Sequence, residues 1–170
     1  ESYAPGPVLI PCHGGGDEQL LCGWGDVGFH AGAPEGGLMD LTMNGVSTVV
    51  GCIGADGVAR NMGALLAKAH ALEEEGVTTY VYTGSYQVPV HTVTGDVMRD
   101  IMLLDKVIGV GEIAISDHRS SQPTFEEFVR IASDIRVGGM LSGQAGIVNV
   151  HMGAGSRMMD FIWRAVREPK

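Results

Sequence analysis

No run of about 18 apolar residues occurs in the 170-residue chain, so no bilayer-spanning helix is expected. The stretch from Glu1 to Pro11 has no basic region ahead of its short apolar segment, so it is not expected to be a signal peptide. Lysine and arginine number 11 against 20 aspartates and glutamates, for a formal charge of −9. The basic residues form no cluster. Nucleic acid and an anionic membrane surface are therefore not expected as partners, since both are held through basic patches. The three cysteines, Cys12, Cys22 and Cys52, are too few and odd in number for a disulfide framework, so a reducing cytoplasm is the expected compartment. Charged residues are scarce at 18% while hydrophobic ones reach 45%, which excludes a disordered chain.

What the chain has in quantity is glycine, 26 residues without a collagen period. The glycines fall where apolar runs end, as turns require. A chain of this length suffices for one domain with a core of its own. Val46–Ile53 is a β-branched run closed by Gly54. Val58–Glu75 follows with helical spacing of Met62, Leu65, Leu66, Ala69 and Leu72, and Gly76 suits a helix terminus. Val77–Thr83, Val107–Ser116 and Ile147–His151 read as further strands. Asp96–Asp105, Thr124 to about Met140, and Ser156–Arg167 read as helices, the second with a Thr124–Glu127 capping box. Pro34–Asn44 reads as a short helix ended by Gly45.

Helix, glycine and β-branched strand thus recur at Asn44-Gly45-Val46-Ser47-Thr48 and again at Glu75-Gly76-Val77-Thr78-Thr79. This is a weak repeat of βα units. The strands are apolar on both faces, as parallel strands under helices are. Two architectures satisfy the pattern: a doubly wound open sheet, or an arc of a (β/α)₈ barrel.

In either architecture, chemistry gathers at the C-terminal ends of the strands. Glu112 stands inside the apolar strand Val110-Gly-Glu-Ile-Ala-Ile-Ser, where a carboxylate needs a partner or a metal. The plain alternative is a glutamate facing solvent at a strand end. His151 closes another apolar strand, as a metal ligand or as a core histidine bonded to backbone. Carboxylate and imidazole together suit zinc. Arg119 has a fork that fits a carboxylate, or it makes a surface ion pair with Asp117. Tyr86 is a packing residue or a donor to a developing oxyanion. His118, His13, His30, His70 and His91 carry no such signal. Gly153-Ala-Gly-Ser-Arg precedes a predicted helix, which leaves open a phosphate-binding reading.

Five phrases carry a resemblance: Asn44-GVSTVVGCIGADG, LLAKAHALEEEGVTTYVYTGSYQVPVHTVTG, DKVIGVGEIAISDHRS, RVGGMLSG and VNVHMG. In this order and spacing, over roughly residues 34–167, the chain resembles the isoaspartyl dipeptidase (β-aspartyl peptidase) family of the amidohydrolase superfamily. The resemblance implies a TIM-type (β/α)₈ barrel of the metal-dependent hydrolase kind, present here as about five βα units. Residues 1–33 form an altered first-strand region and 34–170 the βα units, within a single domain. It also implies two zinc ions and cleavage of the isopeptide bond of β-aspartyl dipeptides. Glu112 matches the family's metal-bridging carboxylate and His151 a metal-ligating histidine. Tyr86 matches the tyrosine beside the reacting carbonyl. Arg119 matches the arginine that holds a substrate carboxylate, and Asp26 the residue that grips the substrate's α-amino group.

The first-strand His-x-His of the family is replaced here by Asp17 and Gln19, with His13 out of place. Trp24 interrupts the family's glycine run, and Ala55 stands where a threonine would contact substrate. The family's sixth-strand histidine and eighth-strand aspartate find no match. The chain is therefore expected to be a fragment or diverged copy, with impaired activity. Open sheet edges lead us to expect a homo-oligomer. The rival readings are a non-catalytic remnant of the fold and an open-sheet nucleotide or phosphate binder.

Overall fold

The computed structural model describes residues 8–9, 45, 47–53, 62–74 and 76–168. Five strands, β1 (Val8–Leu9), β2 (Thr48–Gly51), β3 (Thr78–Thr83), β4 (Val107–Ala114) and β5 (Ile147–His151), form one sheet. All four pairings are parallel, and the strands stand in chain order. The helices are α1 (Met62–Glu74), α2 (Val97–Leu103), α3 (Phe125–Ser142) and α4 (Asp160–Arg167). A doubly wound sheet reverses its strand order at a switch point. No reversal occurs among the described strands, so the order is that of a barrel arc.

The two faces of the sheet bury different things. On one, Val81, Val107, Val110 and Ile113 pack with Leu65 and Leu72 of α1, Ile101 of α2, and Phe128, Ile131 and Ile135 of α3. Full burial of each such side chain stabilises the fold by about 1.5–3 kcal/mol. On the other face Val50, Cys52 and Tyr82 cluster with Tyr80 and Ile108. There the Asn149 side-chain amide reaches the Cys52 sulfur at 3.9 Å. Asn149 lies on β5 and Cys52 just follows β2, with two strands between them. Their contact requires the sheet to curl toward this face.

Local chemistry explains the helix ends. Thr124 and Glu127 cap α3 reciprocally, and Gly143 stops it in the left-handed conformation. The helix runs two residues past the predicted Met140. Gly138 does not end it, because its bare Cα lets α2 approach: a Cβ there would lie 2.5 Å from Ile101 Cγ2. The last helix starts at Asp160 rather than Ser156. Residues 155–160 instead form turns, with Met158 N donating to Gly155 O at 3.1 Å and Asp160 N to Arg157 O at 2.9 Å. Strand β1 falls within the expected first-strand region 1–33, though two residues are too short for any periodicity to mark its place. The helix expected at 34–44 lies outside the described residues.

Candidate active site

The C-terminal ends of β3, β4 and β5 bring four predicted residues together. Tyr86 follows β3, Glu112 is on β4, Arg119 follows β4, and His151 ends β5. His151 Nδ1 lies 2.9 Å from Glu112 Oε1, and Nε2 lies 3.1 Å from Asp117 Oδ2. The Tyr86 and His151 rings are 5.2 Å apart between centroids. Arg119 donates from Nε to Asp117 Oδ1 at 3.0 Å and from Nη2 to Asp117 Oδ2 at 3.1 Å. Its Nη2 also approaches the Tyr86 hydroxyl at 3.4 Å.

The unexpected member is Asp117. Arg119 and Asp117 do form the ion pair considered from sequence, but Asp117 is only 6% exposed. It also accepts from the Arg119 backbone N–H at 2.7 Å. The Arg119 side-chain hydrogen bonds hold its carboxyl well below the usual carboxylate range, against the opposing effect of burial. Burial, then the hydrogen bond to Asp117, pushes the Tyr86 phenol up, so it stays an O–H donor. The Arg119 guanidinium is held charged chiefly by Asp117.

A register shift between β4 and β5 falls between Val110 and Ile113, at Glu112. Such irregularities re-aim a side chain beside a site. Gly111 has a φ of +145°, and a Cβ there would stand 2.6 Å from Asn149 O. Only glycine fits this approach of β4 to β5.

The surrounding loops are tied to rigid elements. Asp100 of α2, fully buried, accepts from the Thr83 hydroxyl, Val93 N at 2.9 Å, Thr94 N at 2.8 Å and the Thr94 hydroxyl at 2.6 Å. This pins the segment after Tyr86 to the end of β3. Gln87 donates to the Arg119 carbonyl and accepts from Ser121 N at 2.7 Å. Ser116 donates to the Met152 carbonyl and accepts from Gly155 N at 3.0 Å. The Gly155 N–H is thus engaged, and α4 begins five residues later, so the glycine loop is not a phosphate cradle opening a helix.

Whether these residues suit a metal is decided by His151. A neutral imidazole has one N–H and one lone pair, yet both its nitrogens face carboxylates. If Nε2–H donates to Asp117, the Nδ1 lone pair meets Glu112 Oε1, a repulsive contact unless a proton or cation lies between. The donor types of Glu112 and His151 therefore fit a cation. Among the described residues, however, no group of three or more His, Cys, Asp or Glu side chains is arranged to hold one. Asp26, Asp17, Gln19, His13 and Ala55 lie outside the described residues. His118 is exposed on the rim, 3.7 Å from Asp117 Oδ1. His70 and His91 are also exposed.

These features define an α/β protein with an acidic, imidazole- and arginine-bearing site at the C-terminal rim of a curled parallel sheet. No protein-family profile matches the chain. Solved structures do, among them two of β-aspartyl dipeptidase from the thermophilic, keratin-degrading Fervidobacterium islandicum AW-1, one of them in complex with β-Asp-Leu dipeptide. Each is 60% identical to the chain with a TM-score of 0.75. The matches cover 77% and 76% of this chain but 35% of each dipeptidase chain. The chain is similar to β-aspartyl dipeptidases over most of its own length and spans about a third of theirs. No helix among the described residues is long and apolar enough to cross a membrane.

Proposed function

We propose that the chain carries part of a metal-dependent β-aspartyl dipeptidase site in an arc of a (β/α)₈ barrel, acting on the isopeptide bond of β-aspartyl dipeptides. The single observation that carries this reading is the 60% identity to a dipeptidase solved with β-Asp-Leu. The rim cluster supports it chemically. Glu112 and His151 would hold zinc, with further ligands needed from outside the described residues. Bound there, zinc would polarise the scissile carbonyl and activate water.

The chain's own residues account for substrate placement. Arg119 has its Nε–Nη2 edge taken by Asp117, so the Nη1–Nη2 edge is the one left to grip a substrate carboxylate bidentately. Tyr86 would turn its O–H from Asp117 toward the reacting carbonyl, and its raised pKa keeps that proton in place. Asp26 would hold the α-amino group.

The two metal donors among the described residues fall short of the roughly three protein ligands of a catalytic zinc, and Asp17 and Gln19 stand at the family's first-strand histidine positions, so we expect impaired activity. The test is release of aspartate from β-Asp-Leu with zinc added, beside direct titration with the dipeptide. We expect dipeptide binding without turnover. Zinc-dependent turnover lost in Glu112→Ala would overturn the impairment. No dipeptide binding would favour a remnant without function at this site.

A further inference from the structure

Three of the rim residues singled out from sequence, Tyr86, Arg119 and His151, meet one carboxylate that the proposed function gives no role. Asp117 meets the His151 ring, the Arg119 guanidinium and the Tyr86 hydroxyl. We propose that Asp117 is a positioning residue that couples the two halves of the site: one carboxylate fixes both the His151 ring and the edge of Arg119 that a ligand carboxylate would meet.

The division of labour between its oxygens carries the argument. Oδ2 takes His151 Nε2 at 3.1 Å and Arg119 Nη2 at 3.1 Å. Oδ1 takes Arg119 Nε at 3.0 Å and the Arg119 backbone N–H at 2.7 Å. A carboxylate offers about four lone-pair positions, so these four contacts, with the Tyr86 hydroxyl also bonded to it, leave it no free acceptor position. The ring and the guanidinium share Oδ2, so a shift of either moves the acceptor of the other. The carboxylate has little freedom, being buried and anchored through the backbone of residue 119. A carboxylate on one imidazole nitrogen also fixes the ring's orientation and leaves the other nitrogen for a cation. With the Nε–Nη2 edge occupied, Arg119 can present only its Nη1–Nη2 edge. The metal part of this inference rests on the proposed function; the coupling of ring to guanidinium does not.

The test is side-chain ¹⁵N NMR on the chain itself, labelled at histidine and arginine. We expect Asp117→Asn to shift both the His151 ring nitrogens and the Arg119 Nε–H resonance. Arg119→Lys should move the His151 ring signals in the otherwise native chain and leave them unmoved when Asp117→Asn is also present. Movement of His151 by Arg119→Lys in the Asp117→Asn background would overturn the coupling, as would an Asp117→Asn effect on only one of the two residues. Should Asp117→Asn fail to fold, Asp117→Glu, which keeps the charge but displaces it, takes its place with the same two outcomes. Zinc affinity by chelator competition supplies the second readout. We expect a weakening of about 10–100-fold in Asp117→Asn, and unchanged affinity would overturn the histidine half. If the native chain binds no zinc, the metal of the proposed function fails while the NMR result still decides the coupling.

Discussion

Gln87 and Ser121 join two rim loops through one amide, the Ser121 N–H reaching Gln87 Oε1 at 2.7 Å. The other end of the same amide holds the Arg119 carbonyl. Arg119 is therefore clamped by its backbone from one side and by Asp117 from the other. Gln87→Leu should cost about 0.5–1.5 kcal/mol, because both of its backbone partners are exposed and can turn to water. Hydrogen exchange at the Ser121 amide checks it: protection should fall, while amides in α3 keep theirs.

Asp100 is buried under four donors, two of them backbone N–H groups at 93 and 94. Asp100→Asn replaces an acceptor oxygen with an N–H₂ group that faces donors. A loss of about 2–4 kcal/mol is expected. Chemical denaturation should show a lowered midpoint, and limited proteolysis should find new cleavage between residues 84 and 96.

At the α2–α3 contact, Gly138→Ala places a methyl 2.5 Å from Ile101 Cγ2 and 3.1 Å from Met98 O. Overpacking of this kind costs about 1–3 kcal/mol. Adding Ile101→Leu removes the branching Cγ2 methyl but leaves the Met98 carbonyl 3.1 Å away, so rescue should be partial. Thermal melts of the two variants read this directly.

Alkaline pH should reveal Tyr86. Its folded pKa is raised, by burial first and by Asp117 second, so the neutral phenol is favoured in the fold. That stability is fully present below the unfolded phenol's pKa of about 10 and is lost as pH rises beyond it. One such proton changes stability by about 1.4 kcal/mol per pH unit in that range. Tyr86→Phe should flatten the slope. Phenolate absorbance should show late titration of Tyr86 and of Tyr82, the latter raised by burial and by Cys52. In Tyr86→Phe the Tyr86 contribution should vanish and that of Tyr82 remain.

Acid acts through Asp117 with the opposite sign. Its folded pKa is lowered, chiefly by Arg119. Its contribution is present above the ordinary aspartate pKa of about 3.9 and is lost as pH falls below it. Acid unfolding followed by circular dichroism should be less steep below pH 4, an order-of-magnitude boundary, in Asp117→Asn than in the native chain.

Strands β2 to β5 were legible because β-branched runs between glycines leave few alternatives, and the boundaries agree within about two residues. Glu112 was legible because a carboxylate in an apolar strand demands an explanation. Asp117 was not. Beside an arginine in a polar strand-end phrase it reads as surface, and only the fold brings His151 over it from 34 residues away. A signal existed in its position between a buried strand and the arginine, but sequence spacing carries no depth. The start of α4 was misplaced for a similar reason. Gly153 and Gly155 pack so closely on Ser116 that added Cβ atoms would lie 2.5 and 2.4 Å from it, and that tertiary contact, invisible in spacing, holds the turn open.

The unbroken strand order has a kinetic meaning. Each of β3 to β5 finds its partner one helix back along the chain, so none of these three pairings waits on a distant segment. Loop closure stays short at every addition, which keeps its entropic cost low. A nascent chain leaving the ribosome could lay down β3, α2, β4 and α3 in succession, each new strand templated on the last. The Asn149–Cys52 contact, 97 residues apart, would form last and report completion of the curl.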